Sequence, residues 1–188
     1  EEWRRQGRVA KPTTTSKSKM EMKNQIGVKK TSTRKNAHIM TIHSEKKIIN
    51  HKPEDLFDLV ADVRRYPEFL PWCLASRIRS ETEKEIIAEL IIGFQIFKEQ
   101  FTSKVIIDKE TLIIDTSYAD GPFKYLQNHW KFSPHNNGCE IDFYVDFEFK
   151  NRLLQTVMES LFTEAVRRMV KAFENRADAL YQNLNQTN

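Results

Sequence analysis

From Cys139 to Lys150 polar and apolar residues alternate without a break, and at Asn151 the period changes from that of a strand to that of a helix. Cys139, Ile141, Phe143, Val145, Phe147 and Phe149 point one way. Glu140, Asp142, Tyr144, Asp146, Glu148 and Lys150 point the other, which describes a half-buried strand with an aromatic inner face and an acidic outer one. Beyond Asn151, Leu154, Met158, Leu161, Phe162, Ala165, Val166, Met169, Val170, Phe173, Ala177, Leu180 and Tyr181 recur at helical spacing and make one broad apolar stripe. Charged residues take the opposite face, with Glu164 and Arg168 placed as an i,i+4 pair. Neither Gly nor Pro occurs between Asn151 and Asn183, so the helix can run about 30 residues, or about 45 Å. A stripe that wide needs a cover. An aromatic strand leading straight into it predicts a sheet wrapped around the helix.

The rest of the chain supplies that sheet. His43 to Asn50 reads as a first strand. Pro53 then opens a helix with Leu56, Phe57, Leu59 and Val60 on its apolar face, although Lys52 offers no capping oxygen. Tyr66-Pro67-Glu68-Phe69-Leu70-Pro71-Trp72-Cys73 follows; its two prolines hold it to a short turn carrying large apolar side chains. Strands come next at Ala75–Arg79 and Glu85–Ile92, the latter turning Ile86, Ala88, Leu90 and Ile92 inward. Gly93 marks a bend where parity switches, because Phe97, Phe101, Ser103 and Val105 continue the inner face on odd numbers; by that parity Glu99 points inward, and as a strand-end residue it faces solvent instead, so both readings stay open. After a turn at Asp108–Glu110 come Thr111–Tyr118 and, past Asp120-Gly121-Pro122, Tyr125–Ser133 with Leu126, Asn128, Trp130 and Phe132 on one face. Ser133–Gly138 is a hairpin loop ending in Asn-Gly. The expected class is α+β: a curved antiparallel sheet of about six to seven strands around a long C-terminal helix, with two short helices after the first strand.

A chain of 188 residues with 39% hydrophobic content supports one domain with a sizeable core. The net charge of +4 divides unevenly: residues 1–39 carry 11 Lys and Arg against 3 acids, and the remainder carries 19 against 23. Residues 1–39 therefore read as a disordered basic tail, an extension or a targeting segment, and residues 40–184 as a single, mildly acidic domain. An acidic body is a poor match for nucleic acid, and no such partner is expected. Cys73 and Cys139 have no metal-ligand spacing and read as buried free thiols. No nucleophile elbow, phosphate loop or zinc motif occurs, so no catalytic residue, metal or cofactor is expected. The five histidines are scattered and read as surface residues. What stands out is the number of aromatic side chains on inward faces. A strongly bent sheet gripping one helix is difficult to fill, and a residual apolar tunnel would hold a flat or elongated guest.

The helix-grip order, with YPEFLPWC at 66–73, FTSKV at 101–105, GPFKYLQNHWKF at 121–132, CEIDFYVDFEF at 139–149 and AFENRADALY at 172–181, resembles the coenzyme Q-binding protein family of START-like, polyketide-cyclase-type domains. The resemblance runs from about His43 to Tyr181. It implies non-catalytic binding of ubiquinone or a related lipid, in support of respiration and quinone biosynthesis. It also implies peripheral contact with an inner membrane: the cytoplasmic side if bacterial, the mitochondrial matrix side if eukaryotic. The ribosome-association toxin family shares several of these frames, which leaves a ribosome-binding inhibitor of subunit association as the alternative. Trp72, and Gly93-Phe94 with Glu99, favour the quinone group. On this reading Phe57, Leu70, Trp72, Phe101, Trp130, Phe143, Phe147, Met158, Phe162 and Met169 line the tunnel. Leu70 and Trp72 form its lip, and Glu99 or Asn128 contacts a quinone oxygen.

Overall fold

Strand alternation becomes strand geometry along the whole chain in the computed structural model, which describes residues 41–94, 97–136 and 138–181. The segment 1–39 lies outside the described residues, as does the end of the expected domain past residue 181. The elements are β1 (Thr41–Ile49), α1 (Pro53–Ala61), a 3₁₀ turn (Val63–Arg65), α2 (Tyr66–Phe69), β2 (Cys73–Glu81), β3 (Glu85–Phe94), β4 (Phe97–Asp108), β5 (Ile113–Asp120), β6 (Phe123–His135), β7 (Gly138–Phe149) and α3 (Arg152–Leu180). Seven antiparallel strands form one sheet in the order β1-β7-β6-β5-β4-β3-β2. Each strand from β2 to β7 pairs with its sequence neighbour, and β1 adds to the free side of β7, with Thr41 opposite Phe147 and Ile49 opposite Cys139. The fold is the α+β helix-grip architecture that the periods predict.

The junction between β7 and α3 is fixed by side chains that sit on it. Asn151 caps α3: its Oδ1 accepts from the amides of Leu153 (2.8 Å) and Leu154 (3.2 Å). One turn later the buried Gln155 accepts from the Phe149 amide (2.8 Å) and donates to the Thr41 hydroxyl (2.9 Å), tying helix, β7 and β1 together. Leu154, Phe162, Val166, Phe173 and Ala177 then descend into the concave face of the sheet.

Local details differ from expectation. Gly93 does not bend a continuing strand; it lies near the end of β3, which pairs antiparallel with β4 so that Gly93 is opposite Lys98 and Phe94 opposite Phe97. The inward assignments survive because antiparallel pairing sets Leu90 across from Phe101 and Ile92 across from Glu99. The Ser133–Gly138 loop is shorter than read, since Pro134 and His135 still pair with Cys139 and Gly138. Two histidines read as surface groups are buried, His43 at 1% exposure and His51 at 0%. His43 follows Thr41 on the inner face of β1 and packs on Phe143 and Phe162. His51 sits beneath the last turns of α3, with its Nε2 2.8 Å from Asp178 Oδ1. The polar stretch around them shows no period that marks either as inward. Cys73 and Cys139 are buried and free, as expected.

Candidate functional site

Antiparallel pairing brings alternate residues of four strands to one concave patch. Thr116 lies opposite Val105 on β4 and opposite Asn128 on β6. Leu90 and Phe101, Val105, Ile114, Leu126 and Trp130 surround them, and Ser103 is the neighbouring inward position on β4. Val60, Val63, Tyr66 and Leu70 cover this patch from the α1–α2 side, and Met169 and Phe173 cover it from α3. These residues enclose a cavity of about 150 Å³. No charged side chain lines it.

A second cavity of about 90 Å³ lies nearer the β3–β4 hairpin, lined by Trp72, Ile92, Phe97, Glu99, Phe149, Leu154, Met158 and Ala165. It follows the first along the grip. Ile92 and Glu99 form the next inward rung after Leu90 and Phe101, and Met158 and Ala165 precede Met169 and Phe173 on α3. A third space of about 40 Å³ lies behind Trp130, Phe143 and Phe173 and reaches Glu45 and Lys47. The expected single tunnel is therefore divided into separate cavities. Rings in the middle of the grip pack on one another: Phe147 meets Phe123, Phe149 and Phe162 with centroids 5.9, 5.4 and 5.4 Å apart.

The sequence-derived site residues fall into groups. Leu70, Phe101, Asn128, Trp130 and Met169 line the inner cavity, and Trp72, Glu99 and Met158 line the outer one. Phe143 reaches only the space behind Trp130. Phe57, Phe147 and Phe162 are a correction: they line none of these cavities and belong to the packed core, Phe57 edge-on to Phe132 at 6.0 Å. Their faces were read correctly; their depth was not, because neighbouring rings cover them. Thr116 was missed, and its signal was present in the strand alternation, since it lies two residues beyond the inward Ile114 on β5.

Polar groups at the inner cavity are few and neutral. The Tyr66 hydroxyl donates to the Val60 carbonyl at 2.6 Å, and burial raises its phenol well above the usual range. Asn128 is different: its Oδ1 is buried and has no hydrogen-bond partner. A buried orphan acceptor is costly, and this one stands at the wall of the inner cavity. Glu99 remains half-exposed on the outer cavity. Among the described residues, no group of three or more His, Cys, Asp or Glu is placed to share a metal ion. No helix among them is long and apolar enough to cross a membrane.

Comparison with known proteins places this geometry in context. A family model described as polyketide cyclase / dehydrase and lipid transport matches residues 49–174. The ribosome association toxin RatA of Rickettsia prowazekii is 44% identical over 134 residues, covering 70% of this chain and 92% of the relative. The mitochondrial coenzyme Q-binding protein COQ10 homolog B of Xenopus laevis is 34% identical over 143 residues, covering 74% of this chain and 59% of the relative. A START superfamily protein from Mycobacterium smegmatis shares the fold, with a TM-score of 0.65 at 19% identity, covering 74% of this chain and 99% of that one.

Proposed function

Because this chain belongs to the polyketide cyclase / dehydrase and lipid transport family, we propose that it binds a prenylquinone lipid of the ubiquinone class without transforming it. The observation that carries this reading is the inner cavity: aromatic and aliphatic walls, no charge, and one unpartnered amide oxygen. A space of about 150 Å³ suits a single ring. The outer cavity, next along the grip, suits the start of an isoprenoid tail. Each buried methylene contributes about 0.8 kcal/mol, so a few isoprene units supply useful affinity while the remaining tail stays in a bilayer. The relative named as a coenzyme Q-binding protein supports the same ligand class. A general acid and base facing each other are absent from the inner lining, which supports a carrier rather than a catalyst. The protein would then work at the surface of a quinone-bearing inner membrane, on the cytoplasmic side in a bacterium or the matrix side in a mitochondrion, in support of respiration and quinone biosynthesis.

The test is organic extraction of protein purified from a membrane-containing lysate, with mass spectrometry for prenylquinones. We expect a bound prenylquinone in the wild type and its loss in Met169→Trp, which fills the inner cavity, with the melting temperature retained. A wild-type protein that neither carries prenylquinone nor takes it up from detergent would end the proposal.

A second reading, binding to ribosomes and interference with subunit association, is favoured by the 44% identical relative of that name. It predicts fewer joined ribosomes in sucrose gradients on overexpression. An unchanged gradient profile at high expression would remove it.

A further inference from the structure

We infer that the inner cavity selects the reduced, hydroxyl-bearing form of its aromatic guest, with Asn128 as the specificity-determining residue. The inference rests on the reading that a quinone-class ring occupies this cavity.

Register puts the β-carbons of Thr116 and Asn128 side by side on adjacent strands, and Ser103 lies diagonally across on β4. A stripe of neutral polar groups thus crosses a floor otherwise made of Leu90, Phe101, Leu126 and Trp130. Tyr66 does not compete for the guest, because its hydroxyl proton is committed to the Val60 carbonyl. The Asn128 Oδ1 is buried and lacks a donor. That atom is an acceptor, and only a guest bearing an O–H or N–H satisfies it.

An oxidised quinone brings carbonyl and ether oxygens, all of them acceptors. It can accept from the Asn128 amide or from a hydroxyl of Ser103 or Thr116, but it leaves Oδ1 as it was. A hydroquinone brings O–H groups and closes the gap. A site built around a buried polar atom rejects the analogue that cannot pair with it far more strongly than an apolar wall rejects a change of size. The difference expected from one buried acceptor gaining a donor is about tenfold in affinity. The size of the cavity acts in the same direction, because a space of about 150 Å³ holds one ring with little room for water to stand in as the missing donor.

The experiment is an anaerobic titration of the full chain with a ubiquinone analogue carrying one isoprene unit, and separately with its hydroquinone, followed by tryptophan fluorescence or calorimetry. We expect the hydroquinone to bind about tenfold more tightly than the quinone. Asn128→Leu should bring the two affinities within about twofold by weakening the hydroquinone more than the quinone, whereas Asn128→Asp, which retains an acceptor, should keep the preference. Thermal melts check that each variant folds, and the wild-type ratio decides the matter alone if they do not. Equal affinities in the wild type, or a preference that survives Asn128→Leu, would overturn the inference and leave quinone binding in place. Failure of both forms to bind would overturn both.

Discussion

The indole of Trp130 stands 4.2 Å from the ring of Phe143, centroid to centroid, with the planes inclined at 40°. It borders both the inner cavity and the small space that Phe143 lines. With Phe173, which also borders both, Trp130 forms the partition between the two. Trp130→Ala should cost about 3–5 kcal/mol and join the spaces, whereas Trp130→Phe should cost less and keep them apart. Urea denaturation of the two variants checks the order; equal losses would mean that the indole does not fill the partition.

The link between β7, β1 and α3 runs through Gln155. Gln155→Leu removes the acceptor of the Phe149 amide and the donor to Thr41, leaving buried polar groups unpaired at a cost of about 1–3 kcal/mol. Asn151→Ala, which removes the helix cap, should cost about 1 kcal/mol. The two residues share one turn, so the double variant need not show the sum. Denaturation midpoints of the three variants measure this.

Gly121 has φ of +133°, and a β-carbon there would lie 2.7 Å from the Gln100 carbonyl oxygen and from Phe101 Cβ. Gly121→Ala should destabilise the fold by about 1–3 kcal/mol through backbone strain. It should also weaken ligand binding, because Phe101 lines the inner cavity. A melting temperature and affinity both equal to wild type would contradict this account.

Burial pushes the thiols of Cys73 and Cys139 up to about 11 from an ordinary value of 9.0. Both thiols should resist alkylation at pH 8 in the native protein and react once it is unfolded. Because the folded state holds these protons to higher pH than the unfolded chain does, their contribution to stability is complete below pH 9.0 and lost as pH rises towards about 11. Unfolding free energies between pH 8 and pH 11 should fall in the wild type and fall less in a Cys73→Ala, Cys139→Ala variant compared with its own value at pH 8.

Phe162 and Met158 lie one helical turn apart but do different work. Phe162 is packed in the core, so Phe162→Ala should cost about 3–5 kcal/mol in stability. Met158 is half-buried on the outer cavity, so Met158→Asp should leave the melting temperature nearly unchanged and weaken a long-tailed quinone more than a tail-less one. Equal effects on both ligands would remove the outer cavity from the tail's path.

Most of the architecture was legible because hydrophobic period is a local property. The change of period at Asn151 marks the strand-to-helix junction, and the even-to-odd switch between Leu90 and Phe101 marks two facing strands rather than a bend at Gly93. Eight of the twelve residues assigned to the site from sequence line one of the two main cavities, and Phe143 lines the space behind them. Alternation tells which way a side chain points, and for these that was enough.

Sequence alone determined the order of elements, the inner faces of β3, β4, β6 and β7 and the broad stripe of α3, because each depends on residues close together in the chain. Depth was decided by tertiary structure. Whether an inward ring borders a cavity, as Phe101 does, or is roofed over, as Phe147 is, depends on the curvature of the sheet and on rings brought from distant strands. The same holds for the burial of His43 and His51 and for the solitary oxygen of Asn128: a partner's presence or absence is a fact about space, which no period along the chain records.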